Sequence, residues 1–412
     1  MISPLRTAMM AAALAFPATA ALAEPITLEQ AVARALAASP QAEADGAAVD
    51  AARAARNQAS VRPNPNVTVE AENAIGTGPY NVLGQAEITA TYSQTIERGG
   101  RRQARVALAD RNIGVVEASG VINRLDLAAR VQRAFMDVLI ADARLQIAQS
   151  RLSIEQGMRN EAIRRVRGYR DPLFVETAAN ARVREAELAI EQVAAERSAA
   201  VTLLASFWGG DGMDLQPQGD LLTPSGNGRA LARADAMLAE AELERARAAI
   251  AYERTRATQD YTLSGGVRFL RETNDVALVA SITIPLGRYD RNEGNIARAE
   301  AERRQIEFRT EAERQNRQRM LLNLIARAEA ARQRASRLVA EVYPLNTRTL
   351  EQVREGYNRG GFNFQNVQDA ADAILATQDD WLNAITEYRD LLTEIDRLTG
   401  RFDTPQSLET LP

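Results

Sequence analysis

The charged residues with the most regular surroundings are Glu70, Glu72, Glu87 and Arg268. Each stands at a polar position of a segment that alternates polar and apolar residues. Paired carboxylates can run acid–base chemistry, as in glycoside hydrolysis. That chemistry needs aromatic-lined sugar sites, and the chain has 2 Trp. Histidine and cysteine are absent. Their absence removes imidazole bases, thiolate nucleophiles, disulfides and the zinc or copper sites built from those ligands. No catalytic residue, metal site or cofactor is expected. At a period-two position a carboxylate is read more simply as lining water on one face of a sheet. The arginines of the helical stretches, such as Arg101, Arg102, Arg105, Arg303 and Arg304, read as solvated faces with i,i+4 ion pairs.

The elements that hold these residues repeat. In 412 residues the order helix, strand pair, long helix, glycine-containing turn, long helix occurs twice, at a spacing of roughly 190 residues. The first unit is taken as 24–210 and the second as 229–400, with a Gly/Pro-rich linker at 211–228 and a tail at 401–412. Thr27-Leu28-Glu29-Gln30 has capping-box form, and Ser39-Pro40 places a serine N-cap before a proline at the first helical position. Four alternating segments follow the short helices, each about ten residues, the length a tilted strand needs to cross a bilayer. After each strand pair the period changes to helical, and the long helices run fifty or so residues, on the order of 75 Å. They turn at Arg167–Pro172 and Glu355–Gly361, and Ile374, Trp381, Ile385, Tyr388, Leu392 and Ile395 form a heptad-like seam on the last helix.

Residues 1–23 have the form of a secretory signal peptide: Arg6, an apolar run from Ala8, and Ala21-Leu22-Ala23 as a small-x-small cleavage site. Without cysteine the mature N-terminus cannot carry a cysteine-linked lipid. Beyond residue 23 no stretch is long and apolar enough for a membrane helix, and the mean hydropathy is −0.29. The net charge is −4, which disfavours a nucleic-acid partner. Alternation alone fits a wet-faced soluble sheet as well as a membrane one. If the strands lie in lipid, four are too few to close a barrel, so several chains must share one.

Pro63-Asn64-Pro65, Glu70-Ala71-Glu72-Asn73 and Ser93–Arg102 resemble the outer-membrane factor (TolC) family, and more narrowly its CzcC-like heavy-metal efflux branch. Asp290–Ile296 and Gly356–Ala370 are the counterparts in the second unit. The resemblance implies a mixed α/β membrane protein. Three chains would share a twelve-stranded β-barrel in the Gram-negative outer membrane, continued by an α-helical tunnel through the periplasm. It implies a passive exit duct for metal cations that meets a periplasmic adaptor (membrane fusion) protein and an inner-membrane pump of the resistance–nodulation–division type. The same duct for organic drugs or a type I secretion substrate is the nearest alternative. A soluble periplasmic helical interaction protein is a remote one.

By the same resemblance the docking tip consists of Gly168, Tyr169, Arg170, Asp171 and Pro172 with Gly356, Tyr357, Gly360, Gly361 and Phe362. Gly168-Tyr169 is paired with Gly356-Tyr357, each glycine closing a helix in left-handed form. Glu176, Asn366 and Asp369 fall where the family narrows the closed tunnel, with Asn366 in place of an aspartate. Glu70, Glu72, Glu87 and Arg268 would line the barrel lumen.

Overall fold

The computed structural model describes residues 24–80, 83–212, 215–223 and 230–403. The expected targeting segment 1–23 lies outside the described residues, as do the end of the tail and part of the linker.

A short strand β1 (Glu24–Ile26) leads into α1 (Leu28–Ala38) and α2 (Pro40–Ala59). The two caps read from sequence both form. The Gln30 amide donates to the Thr27 hydroxyl while Thr27 N–H donates back to the Gln30 side chain, and the Gln41 amide donates to Ser39. Two strands follow, β2 (Asn66–Glu72) and β3 (Glu87–Ile96). The chain then enters α3 (Arg101–Arg167), 67 residues and so about 100 Å long, longer than expected. It returns through α4 (Leu173–Ser206). The segment β4 (Leu215–Pro217) pairs in parallel with β1. The second set is α5 (Arg233–Arg256), β5 (Tyr261–Leu270), β6 (Asp275–Thr283), α6 (Glu293–Arg337), α7 (Tyr343–Arg359) and α8 (Phe364–Thr399). A five-residue π-helical turn, 338–342, joins α6 to α7. Pro344 follows it, and its missing N–H removes the bond that would continue an α-helix there.

The four long strands form one antiparallel sheet in the order β2-β3-β5-β6. Its register gathers Val67, Val69, Ile88, Tyr92, Leu263, Val267, Leu278 and Ile282 on one face. That face is bare: Leu278 is 86 % exposed, and Val67, Val69 and Val276 are nearly as open. Glu70, Glu72, Glu87 and Arg268 share the other face. The helices are laid out in a matching order. Beside the sheet α2 packs on α3, α3 on α5 and α5 on α6, and farther away α4 packs on α3, α3 on α8, and α8 on α6 and α7. Both layers are therefore open curtains. One edge carries β2, α2 and α4, and the other carries β6, α6 and α7.

Apolar clusters tie the curtain at intervals. One joins α1, α3 and the end of α4 around Phe135 and Leu204. A second joins α6 and α8 around Leu321 and Tyr388, and a third lies at the far turns around Met158, Tyr357 and Val367. Where strands become helices, arginines act as clamps. Arg105 donates to Glu97 at 2.6 Å, to the Ala59 carbonyl at 2.7 Å and to the Val61 carbonyl at 3.0 Å, while Arg101 bridges Asp260 and the Thr258 carbonyl. The expectation of a solvated i,i+4 pair describes Arg303, which meets Glu307 at 3.2 Å. It does not describe Arg101 and Arg105, whose partners come from other elements. Gly99 has a positive φ of 63°, and a Cβ there would lie 2.9 Å from the Thr258 hydroxyl. Only glycine lets β3 turn into α3 this close to α5.

Candidate functional site

The two turns at the end of the helical curtain are built alike. In the first, Arg170 N–H donates to the Arg165 carbonyl and Tyr169 N–H to that of Val166; in the second, Gly361 N–H donates to Gly356 and Gly360 N–H to Tyr357. This six-to-one and five-to-two pair is a Schellman cap, whose next-to-last residue is left-handed. That residue is Tyr169 in the first turn, with φ 56°, and Gly360 in the second, with φ 86°.

The expected pairing is therefore corrected. Gly168 is not left-handed, its φ being −82°, and it sits one residue before the position that needs to be. Gly356 lies inside α7, not at its end. A Cβ there would fall 2.3 Å from the Phe362 ring, so this glycine is a socket for that ring.

Two further members of the expected docking set are interior. Tyr357 is 0 % exposed, and the Asp171 side chain is 12 % exposed. The Tyr357 hydroxyl donates to Asp171. Arg165 donates to both Asp171 oxygens, at 2.9 and 3.0 Å, donates to the Tyr357 carbonyl, and lies 4.1 Å from the centre of its ring. Chain segments nearly 190 residues apart meet here because the cation satisfies a carboxylate, a carbonyl and a π face at once. The Arg165 hydrogen bonds hold the Asp171 carboxyl below its ordinary range. Burial and donation to Asp171 push the Tyr357 phenol well above its own. Sequence reasoning passed over Arg165, one of several arginines in the last turn of α3.

Two more ion sets climb the same end. Arg354 donates to the buried Glu161 at 2.9 Å. Arg182 of α4 donates to Asp372 of α8 at 2.9 Å and lies 3.7 Å from Glu155 of α3, which is 2 % exposed. Burial raises the Glu155 carboxyl above its ordinary value.

The surface of the tip is made by Gly168, Tyr169, Arg170, Pro172, Gly360, Gly361 and Phe362, all exposed. Leu173 and Phe174, which the sequence reading did not single out, are equally open. Glu176 is half-buried in the first turn of α4. Asp369 is exposed and accepts from Gln365 at 2.8 Å. Asn366 has a local duty: its side chain accepts from Asn363 N–H, and its own N–H donates to the Asn363 side chain, a capping box that starts α8. At the sheet end, Glu72 and Glu87 are directly opposite in register, a repulsive placement. Arg268 answers both, at 3.4 and 2.8 Å, and donates to Thr89 at 3.0 Å. Among the described residues no cluster of acidic side chains has the form of a metal site.

Residues 31–210 match the family model described as outer membrane efflux protein. The cobalt-zinc-cadmium resistance protein CzcC of Cupriavidus metallidurans is 29% identical over 400 residues, covering 94% of this chain and 92% of that one. Over nearly its whole length the chain is similar to an outer-membrane factor of the CzcC type. The nickel-cobalt-cadmium resistance protein NccC of Alcaligenes xylosoxydans xylosoxydans is 28% identical over 278 residues, 63% of this chain and 61% of that one. Among solved structures, CusC superposes with a TM-score of 0.73 at 18% identity, covering 90% of this chain and 91% of that one. The outer membrane protein VceC of Vibrio cholerae gives 0.72 at 17%, covering 90% and 96%. The fold is thus that of outer-membrane channels with a β-barrel and a helical tunnel. The matched family is one of transport components and not of enzymes.

Proposed function

We propose that three copies of this chain close into one outer-membrane duct through which metal cations leave the cell. One observation carries the reading: sheet and helices are open curtains whose free edges fall on the same two sides. Among the described residues β2 and β6 each pair on one side only. A lone four-stranded sheet with a bare apolar face and two free edges is unstable in lipid, because every backbone group there needs a partner. Setting β2 of one copy against β6 of the next removes both edges. The same rotation sets α2 and α4 against α6 and α7, covering Leu188 and Leu203 on one side and Phe308, Leu322 and Leu345 on the other, all exposed in the single chain. Three copies supply twelve strands with an apolar outer face, and Glu70, Glu72, Glu87 and Arg268 then line the lumen. The two units, 24–210 and 229–400, read as a duplication that gives each copy two similar hairpins.

The duct is passive, so its cargo must be delivered at the tip by a periplasmic adaptor and an inner-membrane pump. Both resistance relatives are named for metals, cobalt, zinc and cadmium in one and nickel, cobalt and cadmium in the other, which supports metal cations as the cargo. Glu176 and Asp369, at the starts of the returning helices, would place rings of negative charge at the tunnel entrance and concentrate cations there.

The test is expression with the N-terminal segment in a Gram-negative host, followed by membrane fractionation and native mass. The expected result is an outer-membrane species of three 45.0 kDa chains. A soluble periplasmic monomer would overturn the barrel. Glu176→Gln with Asp369→Asn is expected to lower cation selectivity of the channel in a planar bilayer; unchanged selectivity removes the constriction.

A further inference from the structure

The Tyr169 side chain costs the fold something and returns nothing to it among the described residues. The backbone there is left-handed, an arrangement that strains a residue with a Cβ. Glycine avoids that strain at the same position of the second turn, Gly360. The Tyr169 side chain is 98 % exposed, more than any other large apolar side chain among the described residues. Its ring and hydroxyl have no partner among the described residues that would offset either cost. Residual strain at a fully exposed aromatic is the mark of a position kept for what it meets.

What surrounds it defines the partner. Leu173 and Phe174 from the start of α4 and Phe362 from the second turn are the nearby open apolar groups. Arg164, Arg167 and Arg170 are exposed and have no carboxylate partner among the described residues. The one acid of the turn, Asp171, is consumed by Arg165 and Tyr357. Every basic residue of this chain is arginine and none is lysine, and guanidinium matches carboxylates in bidentate form.

We propose that Tyr169 is the anchor of the docking tip, entering an apolar pocket on the partner protein that is rimmed by carboxylates supplied for Arg164, Arg167 and Arg170. This rests on the adaptor reading above and adds the anchor and the chemistry of the surface it fits. A lipid surface would accept the same aromatic and basic groups, but it has no fixed pocket and gives no reason to hold one ring in a strained, locked turn. A protein pocket does. Tyrosine and arginine are among the residue types enriched at the energetic centres of such interfaces.

The test uses the full chain in a Gram-negative host with its cognate pump. Tyr169→Gly is expected to raise the melting temperature of the purified channel, or leave it unchanged, while metal efflux falls on the order of tenfold or more. Arg164→Gln with Arg167→Gln and Arg170→Gln is expected to reduce efflux at constant outer-membrane abundance. A benzophenone amino acid in place of Phe174 should crosslink to the adaptor, at a segment containing Asp or Glu. Full efflux by the Tyr169→Gly channel overturns the proposal. So does a crosslink found only on phospholipid, or only between copies of this chain. Single-channel conductance of Tyr169→Gly separates the two levels: a conducting trimer with lost efflux indicts the docking, whereas no trimer in the wild type indicts the duct itself.

Discussion

The two turns at the far end share a hydrogen-bond pattern and differ in what they do with it. The first places a tyrosine at the left-handed position and turns its acid, Asp171, inward. The second places glycine there and turns its tyrosine, Tyr357, inward. Each turn thus supplies one half of a buried cluster, and Arg165 completes it. One cap geometry can present a side chain outward at a cost in strain, or relax with glycine and serve packing. The second turn is therefore the structural one and the first the presenting one.

Removing one member of the cluster has the largest expected effect. Asp171→Asn or Arg165→Met leaves an uncompensated charge in a mostly buried place, and the expected cost is about 3–5 kcal/mol. Arg165→Met combined with Asp171→Leu should recover part of it. Trypsin cleavage after Arg167 and Arg170 reads local opening directly and should accelerate in the single variants. The cluster also has a pH signature. The folded-state Asp171 pKa is lowered by Arg165, so its contribution is fully present above the unfolded value, about 3.9. It is lost as pH falls through the lower folded value. Tip protection in the wild type should therefore persist through mild acid and fail only in strong acid. Loss of protection already at pH 5 would show that Asp171 is not held by Arg165.

Gly356→Ala comes next. The added Cβ would overlap the Phe362 ring, and either the ring leaves or the helix shifts, at a cost of about 1–3 kcal/mol. Gly356→Ala with Phe362→Ala should regain stability, a coupling a double-mutant cycle measures. Gly360→Ala is milder, at about 1–2 kcal/mol for a Cβ in the left-handed region. If Gly360→Ala and Tyr169→Gly shift the melting temperature in the same direction, the assigned difference between the turns is wrong.

Local rules made most of the fold legible. The caps at Thr27 and Ser39 need only neighbours three residues away, and strand alternation needs only period two, so both were readable. Glycine letters were readable as turns, but not their dihedral angles. Matching Gly168-Tyr169 to Gly356-Tyr357 aligned letters, whereas the geometry aligns Tyr169 with Gly360. The cluster of Arg165, Asp171 and Tyr357 was hidden for a different reason. Its members are far apart in sequence, and an arginine at a helix C-terminus already has a local explanation in the macrodipole. The clamps made by Arg101 and Arg105 were missed in the same way, since i,i+4 spacing offered an adequate account. Asn366 shows the reverse case, in which a family-based role drew attention from a capping box written in the sequence as Asn363 and Asn366.

The smallest expected effect lies one step up the curtain from the turns, at Glu155. This carboxylate is more enclosed than Asp171 but is not held by a direct hydrogen bond of similar quality, since Arg182 stands 3.7 Å away and donates instead to Asp372. Burial outweighs the attraction of Arg182 and Arg151, and the folded-state pKa is raised. The sign is therefore opposite to that of Asp171. A raised folded value means that the stability tied to this group is full below the unfolded value, about 4.3. It declines as pH rises toward the folded one, so the ionised form works against the fold at neutral pH. Glu155→Gln keeps the shape and removes the charge, and Arg182 keeps Asp372. The expected change at neutral pH is within about 0.5 kcal/mol of zero, or slightly favourable. The difference between variant and wild type should shrink on acidification, when the wild-type carboxyl takes up its proton. Melting temperatures of both proteins at two pH values decide it. A variant less stable by several degrees at neutral pH would mean that Arg182 depends on Glu155, and that this layer is a salt bridge like the one below it.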